Sequence, residues 1–381
     1  MINRRLSLFC ICLPFLVMLA VHGTTSATTS VSLRQVTQAA TLPDQTNPKI
    51  AFVSERDGIP TVYIMNSDGT DQHPLQKNAP STFVGPPQWS VDGKLILFDL
   101  TYGVSQGLTE VHIVSPDGSN ARVIVTAQTT IPADPVLSPD GKYIAFVSDQ
   151  DSAFKIHIMN SDGSNQHRLT ELEPYNSPDP KDQSRPAWSS LSDSLAFLSE
   201  GKISSEIMLI GLDGSPARTV VANVALHAPF EWSPDGHSIA FISSDRAHLC
   251  VIDVGTETRY CLPNFTGAAI PHWSFDGRYL SFSASHEDGY DVFVLEVATK
   301  TVRELTDNTI VGNYPGPASV PANYGAVWSP DGTRLAFTSS NDYATTLTSS
   351  PARIYTLNAD GSNLRPLTDE SSRNYSPSWQ P

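Results

Sequence analysis

The sequence predicts an all-β protein, a β-propeller built from four-stranded antiparallel blades, and three observations predict it. A short apolar word centred on phenylalanine recurs at Phe52, Phe98, Phe146, Phe197, Phe241, Phe282 and Phe337. A large apolar residue stands nine residues before each of these except the first, at Trp89, Leu137, Trp188, Trp232, Trp273 and Trp328. Finally, 29 Pro and 23 Gly punctuate the chain evenly, which disfavours long helices, because Pro breaks a helix interior and Gly weakens it.

Each element of the repeat follows from its residues. The Trp marks a first, inner strand. The turn after it reads most fully as Ser233-Pro234-Asp235-Gly236, with copies at Ser138-Pro139-Asp140-Gly141 and Ser329-Pro330-Asp331-Gly332, and this order suits a type I turn. Variants stand at Val91-Asp92-Gly93 and Phe275-Asp276-Gly277, and the fourth unit departs with Ser189-Ser190-Leu191-Ser192-Asp193. The Phe word is the second strand. A third apolar run follows at 62–65, 111–114, 156–159, 207–210, 249–252, 292–295 and 354–357. Asp-Gly pairs at 68–69, 117–118, 162–163, 213–214 and 360–361 then signal a hairpin into a short fourth strand.

The Trp repeats with a mean period of about 48 residues, the length of a four-stranded propeller blade. The first unit lacks an inner strand, and the segment 375–379 with Trp379 is an inner strand lacking a unit. Joining the two closes a ring and removes both sheet edges. The expectation is seven blades over residues 48–381.

The words Pro229-Phe230-Glu231-Trp232-Ser233-Pro234-Asp235-Gly236 and Ile158-Met159-Asn160-Ser161-Asp162-Gly163-Ser164 resemble the TolB-like, WD-like β-propeller repeat. The resemblance covers essentially all of 48–381 and is specific for the repeat rather than for a function. It implies a binding scaffold of the cell envelope. The same words occur in propellers of prolyl-oligopeptidase-like peptidases and in oligogalacturonate-lyase-like proteins. TolB itself carries an α/β domain before a six-bladed propeller; here residues 28–47, expected to be a linker or outer strand, stand in that place.

The start of the chain reads as a secretory signal peptide. Arg4 and Arg5 precede an almost wholly apolar run over 6–21, and Thr25-Ser26-Ala27 fits a small-residue cleavage site. That run is short for a bilayer span. Cleavage after residue 27 and a periplasmic or extracellular monomer are therefore expected. The formal net charge is −15, with the acids scattered, so an acidic surface repels phosphate backbones and excludes nucleic acid as a partner. Cys10 and Cys12 fall in the signal, leaving Cys250 and Cys261. A register pairing Asp253 with Thr258 and Ile252 with Arg259 sets these two opposite each other, close enough for a disulfide in an oxidising compartment.

Catalytic signals are weak. Gly103-Val104-Ser105-Gln106-Gly107 matches the nucleophile-elbow pattern, but that motif needs a strand before it and a helix after it, and strand-like residues follow here. His112 and His157 occupy the third-strand place held elsewhere by Tyr63 and Tyr355, which points to packing. Asn66-Ser67-Asp68-Gly69-Thr70-Asp71 lacks the closing Glu of a calcium loop and reads as a hairpin turn. No metal or cofactor is expected. A lyase would need clustered His or basic residues near the axis, for which Arg185 and His272 are the candidates.

Antiparallel order places two classes of connection at opposite ends of each blade. One end carries the short repeated Asp-Gly turns. The other carries variable connections, including long insertions at 171–185, 309–325 and 343–352. Insertions confined to one face mark a binding face. Tyr102, Tyr175, Tyr314, Tyr324 and Tyr343 lie there beside Asp149, Asp151, Glu173, Asp179 and Asp342, and tyrosine suits interfaces because it joins a large apolar face to one polar tip. The expected function is an exported, non-catalytic scaffold binding a protein or peptide, with a glycan as a further ligand class. The alternative is a carbohydrate-active enzyme of oligogalacturonate-lyase type.

Overall fold

Alternation of Phe words and turns produces strands throughout. The computed structural model describes residues 47–76, 83–102, 108–128, 134–149, 154–171, 182–213, 215–246, 248–263, 265, 267, 269–286, 289–307, 322–340 and 351–381, all within one compact unit, Ala40–Pro381. The signal segment and nearly all of 28–47 lie outside the described residues. Among the described residues no helix is long and apolar enough to cross a membrane.

The first sheet contains β1 (Lys49–Ser54), β2 (Thr61–Asn66) and β3 (His73–Pro74). The second contains β4 (Phe83–Val84), β5 (Gln88–Trp89), β6 (Ile96–Tyr102), β7 (Leu108–Val114) and β8 (Arg122–Gln128), with β4 and β5 both paired to β6 as two pieces of one inner strand. The third is β9 (Val136–Leu137), β10 (Tyr143–Ser148), β11 (Lys155–Asn160) and β12 (His167–Arg168). The fourth is β13 (Asp182–Trp188), β14 (Ser194–Glu200), β15 (Ser205–Gly211) and β16 (Arg218–Val224). The fifth is β17 (Glu231–Trp232), β18 (Ser238–Ile242), β19 (Leu249–Asp253) and β20 (Arg259–Cys261).

The sixth sheet has eight strands: β21 (Ala269–Trp273), β22 (Tyr279–His286), β23 (Gly289–Glu296), β24 (Thr301–Glu304), β25 (Ala322–Trp328), β26 (Arg334–Ser340), β27 (Ala352–Asn358) and β28 (Arg365–Pro366). The last strand, β29 (Asn374–Trp379), pairs antiparallel with β1 and completes the first sheet, as the orphaned Trp379 required.

The fold is thus a β-propeller of four-stranded antiparallel blades, with one correction. The structure has five separate blades, not the seven expected, because β21–β24 and β25–β28 merge through a single parallel pair, Tyr290 with Ala322. A related bridge, Ala352 with Arg373, brings β27 close to the chain just before β29. In both places the start of a third strand approaches the start of the next inner strand.

Burial follows the repeat. The seven phenylalanines are each at most 1% exposed. Each interlocks neighbouring sheets: Phe98 packs with Val53 and Ile64, Phe146 with Leu97 and Val111, and Phe52 with Ala336 and Ile354. His112 and His157 stack or tilt against Phe98 and Phe146, at 5.5 and 5.7 Å between ring centres, as Tyr63 and Tyr355 do against Phe52 and Phe337. Packing accounts for both histidines.

Two devices of the fold were not visible in the separate words. Three residues before the Trp position the inner strand turns left-handed, at Asp134 (φ 40°), Arg185 (51°), Ile270 (51°), Gly325 (64°) and Ser376 (53°). The pairing register shifts there in β13, β21, β25 and β29. Such bulges bend a strand and re-aim its side chains. Pro135, Pro186, Pro271 and Pro377 follow directly, tolerated because an inner strand is a sheet edge. The second device is the close approach of two Asp-Gly hairpin turns to the neighbouring blade: a Cβ on Gly118 would come within 2.7 Å of the Leu75 carbonyl oxygen, and one on Gly69 within 2.9 Å of that of Leu367.

Candidate functional site

The two ends of the blades differ in what their polar groups do. At the turn end the carboxylates serve the turns themselves. Ser233 donates to Asp235 at 2.5 Å, Ser274 to Asp276 at 2.7 Å and Ser329 to Asp331 at 2.6 Å. The departing fourth unit keeps the same bond two residues further along, Ser189 to Asp193 at 2.7 Å. In the hairpin turns Asp68 accepts from the Thr70 hydroxyl and amide at 2.6 and 2.9 Å, and those bonds hold its carboxyl below the usual range. Asp68 therefore serves its own turn. Among the described residues no group of three or more His, Cys, Asp or Glu is placed to hold a metal ion.

At the opposite end, polar side chains gather where inner strands begin and second strands finish. Tyr324 on β25 and Tyr375 on β29 stand four residues before their tryptophans, in matching places on successive inner strands. Burial raises the pKa of both phenols. The negative charge of Glu55 adds to this at Tyr375, whereas the Ser340 hydroxyl and then Arg373 oppose it at Tyr324. Arg373 pairs with Glu55 at 3.1 Å. Next to this group, Tyr102 donates to Glu110 at 3.0 Å, and burial with that bond pushes its pKa up to about 12. The ring of His112 contacts the same Glu110 oxygen at 3.0 Å.

A third group spans the second to fourth inner strands. In place of a tyrosine the second blade has Gly85, and the Asp99 carboxyl fills the vacated space: a Cβ on Gly85 would lie 2.0 Å from Asp99 Oδ1. Asp99 is 3% exposed, and its Oδ2 is buried with no hydrogen-bond partner among the described residues. Burial, then the negative charge of Asp134, lifts its pKa to about 7. Burial also raises Asp134, opposed by the charge of Arg185 and by the Arg185 backbone N–H that its carboxylate accepts.

The structure thus brings Tyr102, Tyr324 and Arg185 to the variable end. It separates His272 from them. His272 immediately precedes Trp273, near the turn end of its strand, where its ring lies 3.5 Å from Glu231. Arg185 and His272 face different carboxylates in different inter-blade gaps and form no common set. Tyr175, Tyr314, Tyr343, Asp151, Glu173, Asp179, Asp342 and the whole of Gly103-Val104-Ser105-Gln106-Gly107 lie outside the described residues, although strand β7, not a helix, follows the last of these. Asp99, Asp134, Tyr375, Arg373 and Glu55 were missed. Asp99's place holds Val53, Val147, Leu198 and Ile242 in four other units but Ser283 and Thr338 in the remaining two, so aligning the repeats shows the only charged residue there and not its meaning.

The repeat words, closed sheets and inner-strand bulges have a match among known families. The TolB β-propeller domain model matches residues 15–192 and 195–381. The chain belongs to that family. A Tol-Pal system protein TolB from Francisella tularensis subsp. mediasiatica is 34% identical over 100 residues, 26% of this chain and 19% of that relative. This TolB-family chain therefore spans about a fifth of the length of that curated relative. The structure of TolB from Acinetobacter baumannii superposes with a TM-score of 0.53 at 15% identity, covering 88% of this chain and 67% of that one. The oligogalacturonate lyase of Vibrio parahaemolyticus gives 0.55 at 14% identity, covering 81% and 85%. At such identities both show the shared propeller fold alone.

Proposed function

We propose that this TolB-family propeller is an exported, non-catalytic scaffold that binds a protein or peptide through its variable end. One observation carries the reading, namely the inequality of the two ends. Turn-end carboxylates are consumed by local hydrogen bonds that the turns need, whereas the variable end gathers tyrosines, an Arg–Glu pair and a buried carboxyl that no strand or turn requires. By chain position Tyr175, Tyr314 and Tyr343 belong to the long connections of that end, and Arg185 stands on the inner strand that follows the first of them. Relatedness to a Tol-Pal system protein favours an envelope protein partner. The apolar, arginine-led first residues support export.

The test is affinity capture from an envelope extract, followed by binding measurements on whichever partner is captured. Tyr175→Ala, Tyr314→Ala and Tyr343→Ala should weaken that partner with little change in melting temperature. Asp68→Asn and Asp360→Asn at the turn end should leave it unchanged. The opposite pattern would move the binding face to the other end.

A further inference from the structure

Gly85, Asp99, Asp134 and Arg185 come from the second, third and fourth blades and meet where the variable end opens on the inner strands. Among the described residues their charges do not cancel. Two carboxylates stand beside one guanidinium, and Arg185 acts on Asp134 rather than on Asp99. Asp99 carries the excess. It is 3% exposed, its Oδ2 accepts no hydrogen bond, and a carboxylate so placed is costly unless something charged or donating completes it. The equivalent places hold Val53, Val147, Leu198 and Ile242 in four other units and Ser283 and Thr338 in the remaining two, so a charged group there is peculiar to this blade. Gly85 permits the arrangement: any side chain there would displace Oδ1, so only glycine backbone lies over the carboxyl on the inner-strand side. Asp134 is half-buried and Arg185 exposed, so the group reaches solvent through these two, and Asp99 lies beneath them.

We propose that the Asp99–Asp134 pair is a receptor for a primary ammonium group, such as a lysine side chain that a protein partner inserts at the variable end. An ammonium has three donors and one positive charge, which matches one orphaned acceptor, a neighbouring carboxylate and one uncompensated negative charge. The inference rests on the variable end being the binding end, yet its test needs no partner.

Butylammonium chloride serves as the probe for the full-length mature protein, with binding followed by calorimetric titration at about pH 8 and about pH 5. Binding is expected at the higher pH, where Asp99 is ionised, and should weaken at the lower. Asp99→Asn should weaken it roughly ten- to hundredfold, the loss of one charge-assisted hydrogen bond, while leaving the protein folded. Asp134→Asn should weaken it too, and provides the check if the first variant misfolds. Arg185→Gln should strengthen it, because a competing positive charge is removed; a merely structural role for Arg185 predicts no gain. Absence of butylammonium binding overturns the proposal, as does equal binding to Asp99→Asn. Binding of calcium chloride without butylammonium would make the pair a metal site instead. None of these failures touches the face assignment, which the partner-binding variants decide separately.

Discussion

The indole N–H of Trp328 donates to the backbone carbonyl of His272 at 3.2 Å, across the gap between two successive inner strands. It is one of a series. Trp273 donates to Glu231 at 3.3 Å, Trp232 to Ala187 at 3.2 Å, Trp188 to Val136 at 3.1 Å and Trp89 to Ser378 at 3.0 Å. Each acceptor directly precedes the Trp position of the neighbouring strand. An inner strand is a sheet edge, so its outward carbonyls lack ladder partners, and the indoles supply them. The large apolar residue of the repeat is therefore both a core ring and a stitch between blades.

Trp379 breaks the series, since its indole nitrogen is buried without a partner. This sets up a paired prediction. Trp328→Phe removes a donor and strands a carbonyl, and should cost about 1–3 kcal/mol beyond the loss of ring volume. Trp379→Phe removes only an unsatisfied donor and should cost less than Trp328→Phe. Urea unfolding of both variants measures the difference. Equal losses would mean that the ring volume alone matters.

Closure through β29 makes a stronger claim. Deleting 374–381 removes the inner strand of the first sheet, its pairing with β1 and the buried Asn374–Ser54 bond of 2.8 Å. Trp379, 4% exposed among Ile50, Phe52 and Leu367, should alone cost about 3–5 kcal/mol on substitution by Ala. The truncated protein should lose its cooperative thermal transition. An unaltered melt would show that the ring is held elsewhere.

Glycine at the hairpin turns has two separable reasons, conformation and space. A Cβ added at Gly58 (φ +81°) would meet nothing within 4 Å, whereas at Gly118 (φ +78°) the Leu75 carbonyl would be 2.7 Å away. Gly58→Ala should therefore cost only about 1 kcal/mol, the left-handed penalty. Gly118→Ala must also push two blades apart and should cost at least about 1 kcal/mol more, within the range seen for overpacking. Denaturation midpoints of the two variants decide it; equal midpoints would mean that the turn does not press on its neighbour.

Period, strand order and the closing strand were legible because they rest on local rules: apolar spacing, turn chemistry and the orphaned Trp379 without a blade. The merged sheet was not legible. Pairing of Tyr290 with Ala322 depends on how closely two blades approach, which no single repeat word encodes. The bulges left a trace in the proline that follows Asp134, Arg185, Ile270 and Ser376, but a proline alone does not reveal a left-handed residue before it. At the site, Tyr102 and Tyr324 were readable from chain position because alternating strand direction assigns loops to ends. His272 lies beside Trp273 on its inner strand, and closeness to the axis says nothing about which end of that strand a residue occupies. Asp99 was hidden because its significance depends on Gly85, 14 residues earlier and on a different strand.

The disulfide joins directly opposed residues, Cys250 on β19 and Cys261 on β20, with Cα atoms 4.0 Å apart. It closes a loop with a sequence separation of only 11, so it restricts the unfolded chain little. Cys250→Ser/Cys261→Ser should cost about 1–3 kcal/mol and leave a folded protein. Thiol titration of the unreduced, denatured mature protein should find no free thiol. Two thiols would refute the bond, and an unfolded double variant would refute the modest cost.

Asp99 ties the site to stability through pH. Burial, then Asp134, raises its pKa from 3.8 to about 7, so the folded chain holds this proton more tightly than the unfolded chain does. Below about pH 4 the group is protonated in both states and costs nothing. Between about pH 4 and 7 the unfolded chain ionises first and stability falls; above about pH 7 the loss is complete, on the order of 4 kcal/mol. Asp99→Asn keeps the shape that Gly85 accommodates but cannot ionise. It should therefore melt higher than the wild type at about pH 8, and the two melting curves should converge towards about pH 4. The difference between the proteins, rather than either curve alone, isolates this carboxyl from the many turn aspartates that titrate alongside it. A constant difference across the range would mean that Asp99 ionises normally, and an Asn variant less stable at high pH would mean that its charge is already compensated in the fold.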